Sequence, residues 1–280
     1  MNRLKRPWIQ TQGLVVVAIN MTALAGTTVP GWAATSIASC PSVITTPGNY
    51  VVTADLSCAG IAIDINASNV SLNLNGHIIT GSNVTGGIRI FGTSSNRLNH
   101  VAVEGPGLIQ KFDIGVSIGY ADYCQLKLVT IAHNQIGLLA SGDVSYLTVA
   151  SNVVVANHSG MVLMTPSITG GVIAYNDVSG NGSGMFVAGG MTVNNNVVNG
   201  NAGDGIDIEG SFTRVYANTT NGNAGGGIRV NNPPQTGNQI FNNTSSKANG
   251  TFDLEDVNSA CGTDVWADNV FFTRNRSCIH

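Results

Sequence analysis

The chain has 280 residues, of which only 10% are charged, and its formal net charge is −3. No apolar run reaches the roughly eighteen residues that a membrane-spanning helix needs, so we expect no such helix. The 35 glycines and the frequent asparagines favour a backbone made of turns and short strands.

Residues 1–34 are predicted to be a signal peptide. A basic start at Arg3, Lys5 and Arg6 precedes the apolar stretch Gly13–Ala25, and small-x-small cleavage sites follow it. A mobile N-terminal helix is the alternative. Cleavage would remove three cations and no acids, so the net charge would fall from −3 to −6. That acidity argues against nucleic acid as a partner and, with the signal, predicts a periplasmic or extracellular protein.

The five cysteines fit an oxidising compartment. Cys40 and Cys58 bracket the segment before the repeats described below, and Cys261 and Cys278 bracket the segment after them, which favours two terminal disulfides. Cys124 remains as a buried thiol. Lipidation at Cys40 is an alternative, because the residues before it resemble a lipoprotein cleavage box.

A repeat of about twenty-two residues organises the chain, and it is clearest from Gly184 to Asp256. Each unit opens with glycine and an alternating apolar segment, followed by a second short strand and then Asn and Gly. The pattern predicts an all-β fold, a right-handed parallel β-helix of about nine coils. We expect a cap over residues 35–59, the repeats over 60–256, and a disulfide-closed cap over 257–280.

Aligning the leading glycines predicts which side chains point inward. The inward positions run from Ile61 and Ile63 in the first coil to Phe252 and Leu254 in the last, since strand side chains alternate with period two. A second alignment predicts a ladder of stacked amides or, alternatively, a simple turn preference. Its members are Asn152, Asn176, Asn196, Asn218 and Asn243.

Three features together resemble secreted bacterial right-handed parallel β-helix repeat proteins of the pectate-lyase-like and NosD-like superfamily. They are the stretch Ser68–Gly81, coil starts such as Gly205-Ile-Asp-Ile-Glu-Gly210, and a terminal segment with a Trp and paired cysteines. The resemblance implies the fold and leaves the reaction open, because such repeats encode turn chemistry.

The candidate catalytic residues are outward acids of the last coils. The alignment puts Asp207, Arg229 and Asp253 in one row with Glu209 and Glu255 beside them, and it spaces the two aspartates about 10 Å apart. Carboxylates at that spacing could cleave a glycan by acid–base chemistry. The alternative is an ion-pair ladder on a solvated sheet. Asp204 to Asp207 also resembles part of the polygalacturonase motif, whose other elements are missing.

A second predicted groove, for sugar binding, comprises Tyr120, Asp122 and Tyr123 with Lys111 and Asp113. Tyrosines beside acids can stack on sugars, although they can also simply complete a surface. The outward residues of the middle coils are apolar, which predicts a cover or a partner. They are Leu139, Val162, Met164 and Phe186.

The sequence thus predicts an exported protein that binds or processes a polysaccharide. The alternative is a non-catalytic envelope scaffold or adhesion protein. The histidines lack metal-ligand spacing, so no metal and no cofactor is predicted. Whether the protein is an enzyme (a hydrolase or lyase), which glycan it takes and its oligomeric state are left open.

Overall fold

The computed structural model describes residues 33–83, 85–164, 170–231, 234–246 and 249–280. The predicted signal peptide therefore lies, except for its last two residues, outside the described residues. Twenty-nine short strands and a single turn of 3-10 helix (Ser259–Cys261) make up the described secondary structure. The strands of the first half are β1 (Thr35–Ile37), β2 (Ser42–Ile44), β3 (Gly48–Val52), β4 (Leu56–Ser57), β5 (Ile63–Ile65), β6 (Val70–Asn73), β7 (Ile78–Thr80), β8 (Gly86–Phe91), β9 (Leu98–Asn99), β10 (Val101–Glu104), β11 (Leu108–Gln110), β12 (Ile114–Asp122), β13 (Gln125–Lys127), β14 (Thr130–Ala132) and β15 (Ile136–Ser145). The remaining strands are β16 (Thr148–Ala150), β17 (Val153–Val155), β18 (Ser159–Leu163), β19 (Val172–Ala174), β20 (Ser183–Val187), β21 (Thr192–Asn194), β22 (Ile206–Ile208), β23 (Arg214–Tyr216), β24 (Ile228–Val230), β25 (Gln239–Phe241), β26 (Thr244–Ser245), β27 (Leu254–Asp256), β28 (Val265–Ala267) and β29 (Val270–Phe271).

These strands form three parallel sheets that wrap around one core, and successive turns of the chain add one strand to each. Sheet 1 has the order β1-β3-β6-β10-β13-β16-β19-β21-β23-β25-β28. Sheet 2 is β4-β7-β11-β14-β17, and single bridges through Asp177, Val197 and Thr219 extend it to β26, which pairs with β29. Sheet 3 is β2-β5-β8-β12-β15-β18-β20-β22-β24-β27, with β9 added beside β12. The predicted right-handed parallel β-helix is confirmed, with about ten turns.

Sheet 3 shows the predicted inward columns through its middle coils. Val116 pairs with Ile88 and Leu138, and Ile206 pairs with Met185 and Ile228, so apolar side chains stack from turn to turn. These residues are buried at 0–2% exposure. Parallel strands lie about 4.8 Å apart, so the stacked side chains build one continuous apolar core along the axis.

The predicted register is wrong by two residues in the first and the last coil of the alignment. Ile63, not Ile61, pairs with Ile88, and Leu254, not Phe252, pairs with Ile228. A shift of two preserves which face a side chain occupies, so alternation alone could not distinguish the two registers.

Two asparagine ladders, not one, close the corners between sheets. The first contains the five predicted residues and continues to Asn269. The second consists of Asn134, Asn157, Asn181, Asn201, Asn223 and Asn249. After the first member of a ladder, each Oδ1 accepts hydrogen bonds from both the backbone N–H and the Nδ2 of the preceding asparagine. The stacked-amide interpretation is therefore confirmed for the first ladder.

The ends of the coil are closed by the predicted disulfides. Cys40 is bonded to Cys58 and Cys261 to Cys278, while Cys124 is a buried free thiol. Burial raises the pKa of Cys124 to about 12. The alternative of lipidation at Cys40 does not fit a cysteine engaged in a disulfide. Residues 35–59 form β1 to β4, which pair in parallel with the next turn. No helix in the described part of the chain is long and apolar enough to cross a membrane.

Candidate functional site

The outward row of sheet 3 brings acids and one arginine together at its C-terminal end. Asp207 on β22 pairs with Arg229 on β24, and Arg229 pairs with Glu255 on β27. All three side chains are half-buried. Because their neighbours alternate inward as Ile206, Ile208 and Leu254, these three residues must point outward. We call the group of Asp204, Asp207, Glu209, Arg229, Asn231 and Glu255 the acidic cluster.

The prediction that Asp253 stands in this row is wrong. The two-residue shift of the last coil puts Glu255 opposite Arg229 and leaves Asp253 only 2% exposed. Its carboxylate accepts hydrogen bonds from the backbone N–H groups of Phe272 and Thr273 and from Nδ2 of Asn249. Asp253 is thus a fully partnered structural residue of the C-terminal cap.

Arg229 is held loosely. Its Nη1 lies 3.4 Å from Oδ2 of Asp204, and its Nε lies 3.6 Å from Oε2 of Glu255 without forming a hydrogen bond. Elsewhere on the same face, Arg89 donates two hydrogen bonds of 2.8 and 2.5 Å to the carboxylate of Asp64. A purely structural ion-pair ladder would favour the second geometry. The guanidinium of Arg229 therefore retains donor capacity for a further acceptor.

Asp207 in the acidic cluster has a strongly raised pKa. Burial, reinforced by the negative charges of Asp204 and Glu209, raises its pKa to about 7, and nearby Arg229 only partly offsets this. The Oδ1 atom of Asp207 is buried without a hydrogen-bond partner among the described residues. A carboxyl group with this pKa can both give and take a proton near neutral pH.

Two members of the cluster were not among the predicted site residues. Asp204 precedes the strand, and its Oδ1 also accepts a 2.5 Å hydrogen bond from the backbone N–H of Gly226. Asn231 donates from Nδ2 to Oε1 of Glu209 at 2.8 Å and lies beside Asp207. The spacing Asp204-Gly-Ile-Asp207 was the available signal for the first, and the second outward column was the signal for Asn231.

An apolar strip continues the row away from the acids. Phe186 pairs directly with Asp207, and Val162 and Leu139 follow on the preceding coils. These side chains are half-buried, whereas Met164 at the edge of the strip is 56% exposed. The outward face of sheet 3 thus combines an apolar floor with a charged end, as ligand sites commonly do.

The second predicted groove is not a single site. Asp113 precedes β12 and Tyr120 lies near the far end of the same strand, so the two residues are roughly 20 Å apart. Asp122 forms hydrogen bonds of 2.8 and 2.5 Å with Arg97, and this pairing lowers its pKa. Tyr123 is stacked between His100 and Tyr146.

Tyr120 packs edge-on against Phe91, with the ring centroids 5.7 Å apart. The faces of the rings at this edge are largely occupied by one another. Tyr123 and Tyr146 are nevertheless each 46% exposed, so the stack also completes the surface beside the longest strands, and sugar binding by Tyr120, Asp122 and Tyr123 stays a prediction.

Comparison with known proteins supports this fold. Residues 108–245 match the family model described as the right handed beta helix region. The chain has the fold of a right-handed parallel β-helix, which confirms the fold that the sequence resemblance implied. None of the curated proteins compared with it matches.

Several solved structures share the architecture at low identity. The periplasmic alginate epimerase AlgG has 15% identity and a TM-score of 0.60, over 85% of this chain and 73% of its own. The AlgE4 A-module, a mannuronan C-5 epimerase of Azotobacter vinelandii, has 14% identity and a TM-score of 0.54, over 86% and 87%. The Dettilon tailspike protein gp208 has 16% identity and a TM-score of 0.59, over 84% of this chain but only 54% of its own. At these identities the likeness concerns the fold.

Proposed function

We propose that the protein binds an extended polysaccharide along the outward face of sheet 3 and hydrolyses it at the acidic cluster. The observation that carries the proposal is Asp207, a half-buried carboxyl whose pKa of about 7 suits proton transfer to a leaving oxygen. The similar structures include alginate epimerases and a tailspike, which supports a polysaccharide ligand.

Glu255 is the proposed partner of Asp207 in catalysis, in the place that the sequence had given to Asp253. Two strand spacings separate the pair, which corresponds to about 10 Å between the backbones. Side chains leaning toward one another from that distance reach the separation of about 6.5–9.5 Å that leaves room for a water in inverting glycosidases. Asp207 would protonate the glycosidic oxygen, and Glu255 would take a proton from the attacking water. Arg229 between them would orient the chain through a hydroxyl or carbonyl oxygen.

The charge of the cluster favours a neutral polysaccharide. Four carboxylates surround the single guanidinium of Arg229, so an anionic sugar would be repelled unless most of these acids were protonated. Phe186, next to Asp207, offers apolar area against the C–H face of a neutral sugar ring. Alginate, the substrate that the AlgG description names, is therefore not the polymer expected here.

The test is product analysis with a panel of neutral glucans, mannans, galactans and xylans, with alginate and pectate included. We expect new reducing ends from at least one neutral polymer and a decline in rate as pH rises past about 7. Asp207→Asn and Glu255→Gln should each lower the rate by about 10²–10⁴. Asp143→Asn, on an exposed acid outside the cluster, is the control. Absence of cleavage across the panel would refute hydrolysis.

We also propose that the protein is exported, as its N-terminal sequence predicts. Two disulfides stabilise the ends of the coil, and such bonds persist in oxidising compartments. Cell fractionation with an antibody against the chain is the test. Recovery of the protein only from the cytoplasm with its N-terminus intact would contradict export.

The second candidate function is a non-catalytic surface scaffold or adhesion protein. The apolar strip of Leu139, Val162 and Phe186 favours it, because a solvated sheet normally presents polar side chains outward. If the parent protein and the Asp207→Asn variant both bind sugar and neither forms a product, the scaffold function replaces hydrolysis.

A further inference from the structure

An open depression lies beside the middle strands of sheet 3, on the corner where sheet 2 turns into sheet 3. Its volume is about 410 Å³, and it is lined by Asn83, Phe112, Asp113, His133, Asn134, Gln135 and Ala156. This volume is within the range of about 300–1,000 Å³ typical of small-molecule sites. Phe112 and Asn134 are buried and form its floor, whereas the side chains at its rim are exposed.

The floor and the rim of this depression differ in how their polar groups are used. Asn134 is a committed ladder member, since its Oδ1 accepts from Phe112 N–H and its Nδ2 donates to the oxygens of Ile109, Ala132 and Asn157. No hydrogen bond or ion pair from the rim side chains to another described residue is present. The rim side chains are Asn83, Asp113, His133 and Gln135.

Asp113 at the rim differs from other acidic residues of this surface, whose carboxylates are hydrogen-bonded. Asp55 is bonded to His77 and to the N–H of Ile78, Asp64 to Arg89, and Asp122 to Arg97. At the rim, by contrast, a carboxylate, an imidazole and two amides face one concavity with their hydrogen-bonding capacity free. These groups both donate and accept, which suits the vicinal hydroxyls of a sugar better than a bare ion.

The corner also connects this depression to the acidic cluster. Backbone hydrogen bonds stack Gln135, His158, Gly182 and Ala202 on successive turns, and Asp204 follows two residues after Ala202. Beyond the exposed side chain of His158, the path to the acidic cluster carries small residues such as Gly182, Ser183 and Gly203. Four turns of the coil separate Asp113 from Ala202, which corresponds to a distance of about 19 Å along the axis.

We propose that this depression is a distal subsite that holds one neutral sugar residue of the polysaccharide cleaved at the acidic cluster. The inference rests on the proposed function. One turn of the coil is close to the length of one sugar residue, so a chain of about four residues spans the two sites. The enzyme would then discriminate by chain length, with the subsite adding affinity only for chains that reach Asp113 and His133.

The experiment uses the full chain and neutral gluco-, manno-, galacto- and xylo-oligosaccharides graded from monosaccharide to octasaccharide. The side-chain NMR signals of His133 are followed during titration, with those of His77 as an internal reference. We expect at least one sugar type to shift the His133 signals and to leave those of His77 in place. The double variant Asp113→Ala/Gln135→Ala should lose this response, and Asp143→Ala, on the opposite edge of the sheet, should keep it.

Kinetics provide the second measurement. The double variant should lower kcat/KM about tenfold for the octasaccharide, through lost hydrogen bonds to the sugar, and should leave that for the trisaccharide unchanged. Equal losses for both lengths, or cleavage of a sugar that never moves the His133 signals, would overturn the subsite and leave hydrolysis standing. A His133 response with no cleavage of any substrate would keep the sugar site and refute the proposed hydrolysis. No response and no cleavage would refute both.

Discussion

At the scale of single residues, the protein shows how one fold assigns opposite roles to neighbouring acids. Asp253 and Glu255 are two positions apart on the same face of the chain's alternation, yet one is buried and fully hydrogen-bonded while the other faces outward. Asp207 belongs to a third environment, in which burial and like charges raise the pKa of a carboxyl that is only half-covered.

Asp207 should make folding stability depend on pH. Its pKa in the folded state, about 7, lies above the 3.8 that is usual for an aspartate, so its contribution to folding stability is fully present below about pH 4 and is lost as pH rises through about 7. Asp207→Asn should therefore have a higher Tm than the parent at about pH 8 and a similar Tm at about pH 4. Thermal unfolding at both pH values checks this. Asp268→Asn, at an exposed turn, should show no such difference, and an equal gain there would discount Asp207.

Asp253 should matter for stability and not for chemistry. Asp253→Ala removes the acceptor of two backbone N–H groups and one of the three acceptors of Asn249 Nδ2, so we expect a loss of roughly 3 kcal/mol in the free energy of unfolding. Glu255→Ala, which removes only a loose pair with Arg229, should cost less than about 1 kcal/mol. Urea titration measures both. A larger effect at Glu255 than at Asp253 would reverse their assigned roles.

At the scale of elements, the asparagine ladders do what helix capping does elsewhere: they satisfy backbone groups at every corner. Asn196 accepts from the N–H and Nδ2 of Asn176 and donates to Ile173 O, Asn194 O and Asn218 Oδ1. Each member thus pairs with the turn before and the turn after it. Buried amides linked in this way stabilise the stacking because water cannot reach the groups that they serve.

Replacing one asparagine of a ladder should therefore lower the free energy of unfolding substantially. Asn196→Ala leaves several buried partners unsatisfied, and we expect a loss of roughly 3–5 kcal/mol. The matched control is Asn195→Gly. Asn195 has a φ of 54°, a conformation that glycine adopts freely, so this change should stay within about 0.5 kcal/mol. Denaturant unfolding of both variants is the measurement, and comparable losses would mean that the ladder amide is no more important than its turn.

At the scale of the whole molecule, stability comes from contacts between adjacent turns, so the ends are the weak points. Solenoids of this kind need closed ends because the last strands expose unpaired N–H and C=O groups. Here the segment that follows β27 includes β28 and contains Cys261 and Cys278, which are joined to each other.

Loss of the C-terminal disulfide should loosen that end. The variant Cys261→Ser/Cys278→Ser opens a loop of 17 residues, and we expect a loss of about 3 kcal/mol. Exposed strand edges should also increase self-association, which light scattering detects. Cys124→Ser, which affects a buried thiol away from either end, serves as the control for cysteine replacement and should lower the Tm without increasing scattering.

The sequence by itself determined the coil, because glycine-led segments with alternating apolar residues recur at nearly constant spacing and only stacked turns bury all of them. It also determined both disulfides, the first asparagine ladder, and the outward placement of Asp207, Arg229 and Glu255. Only the tertiary structure decided the register of the last coil, since a shift of two residues leaves the alternation unchanged. Asp256 takes an inward place there because Trp266 Nε1 and Asn258 N–H donate to its carboxylate. Trp266 lies in the segment that follows the coil, and the local sequence pattern around Asp256 does not predict this contact. That shift exchanged Asp253 for Glu255 in the candidate site.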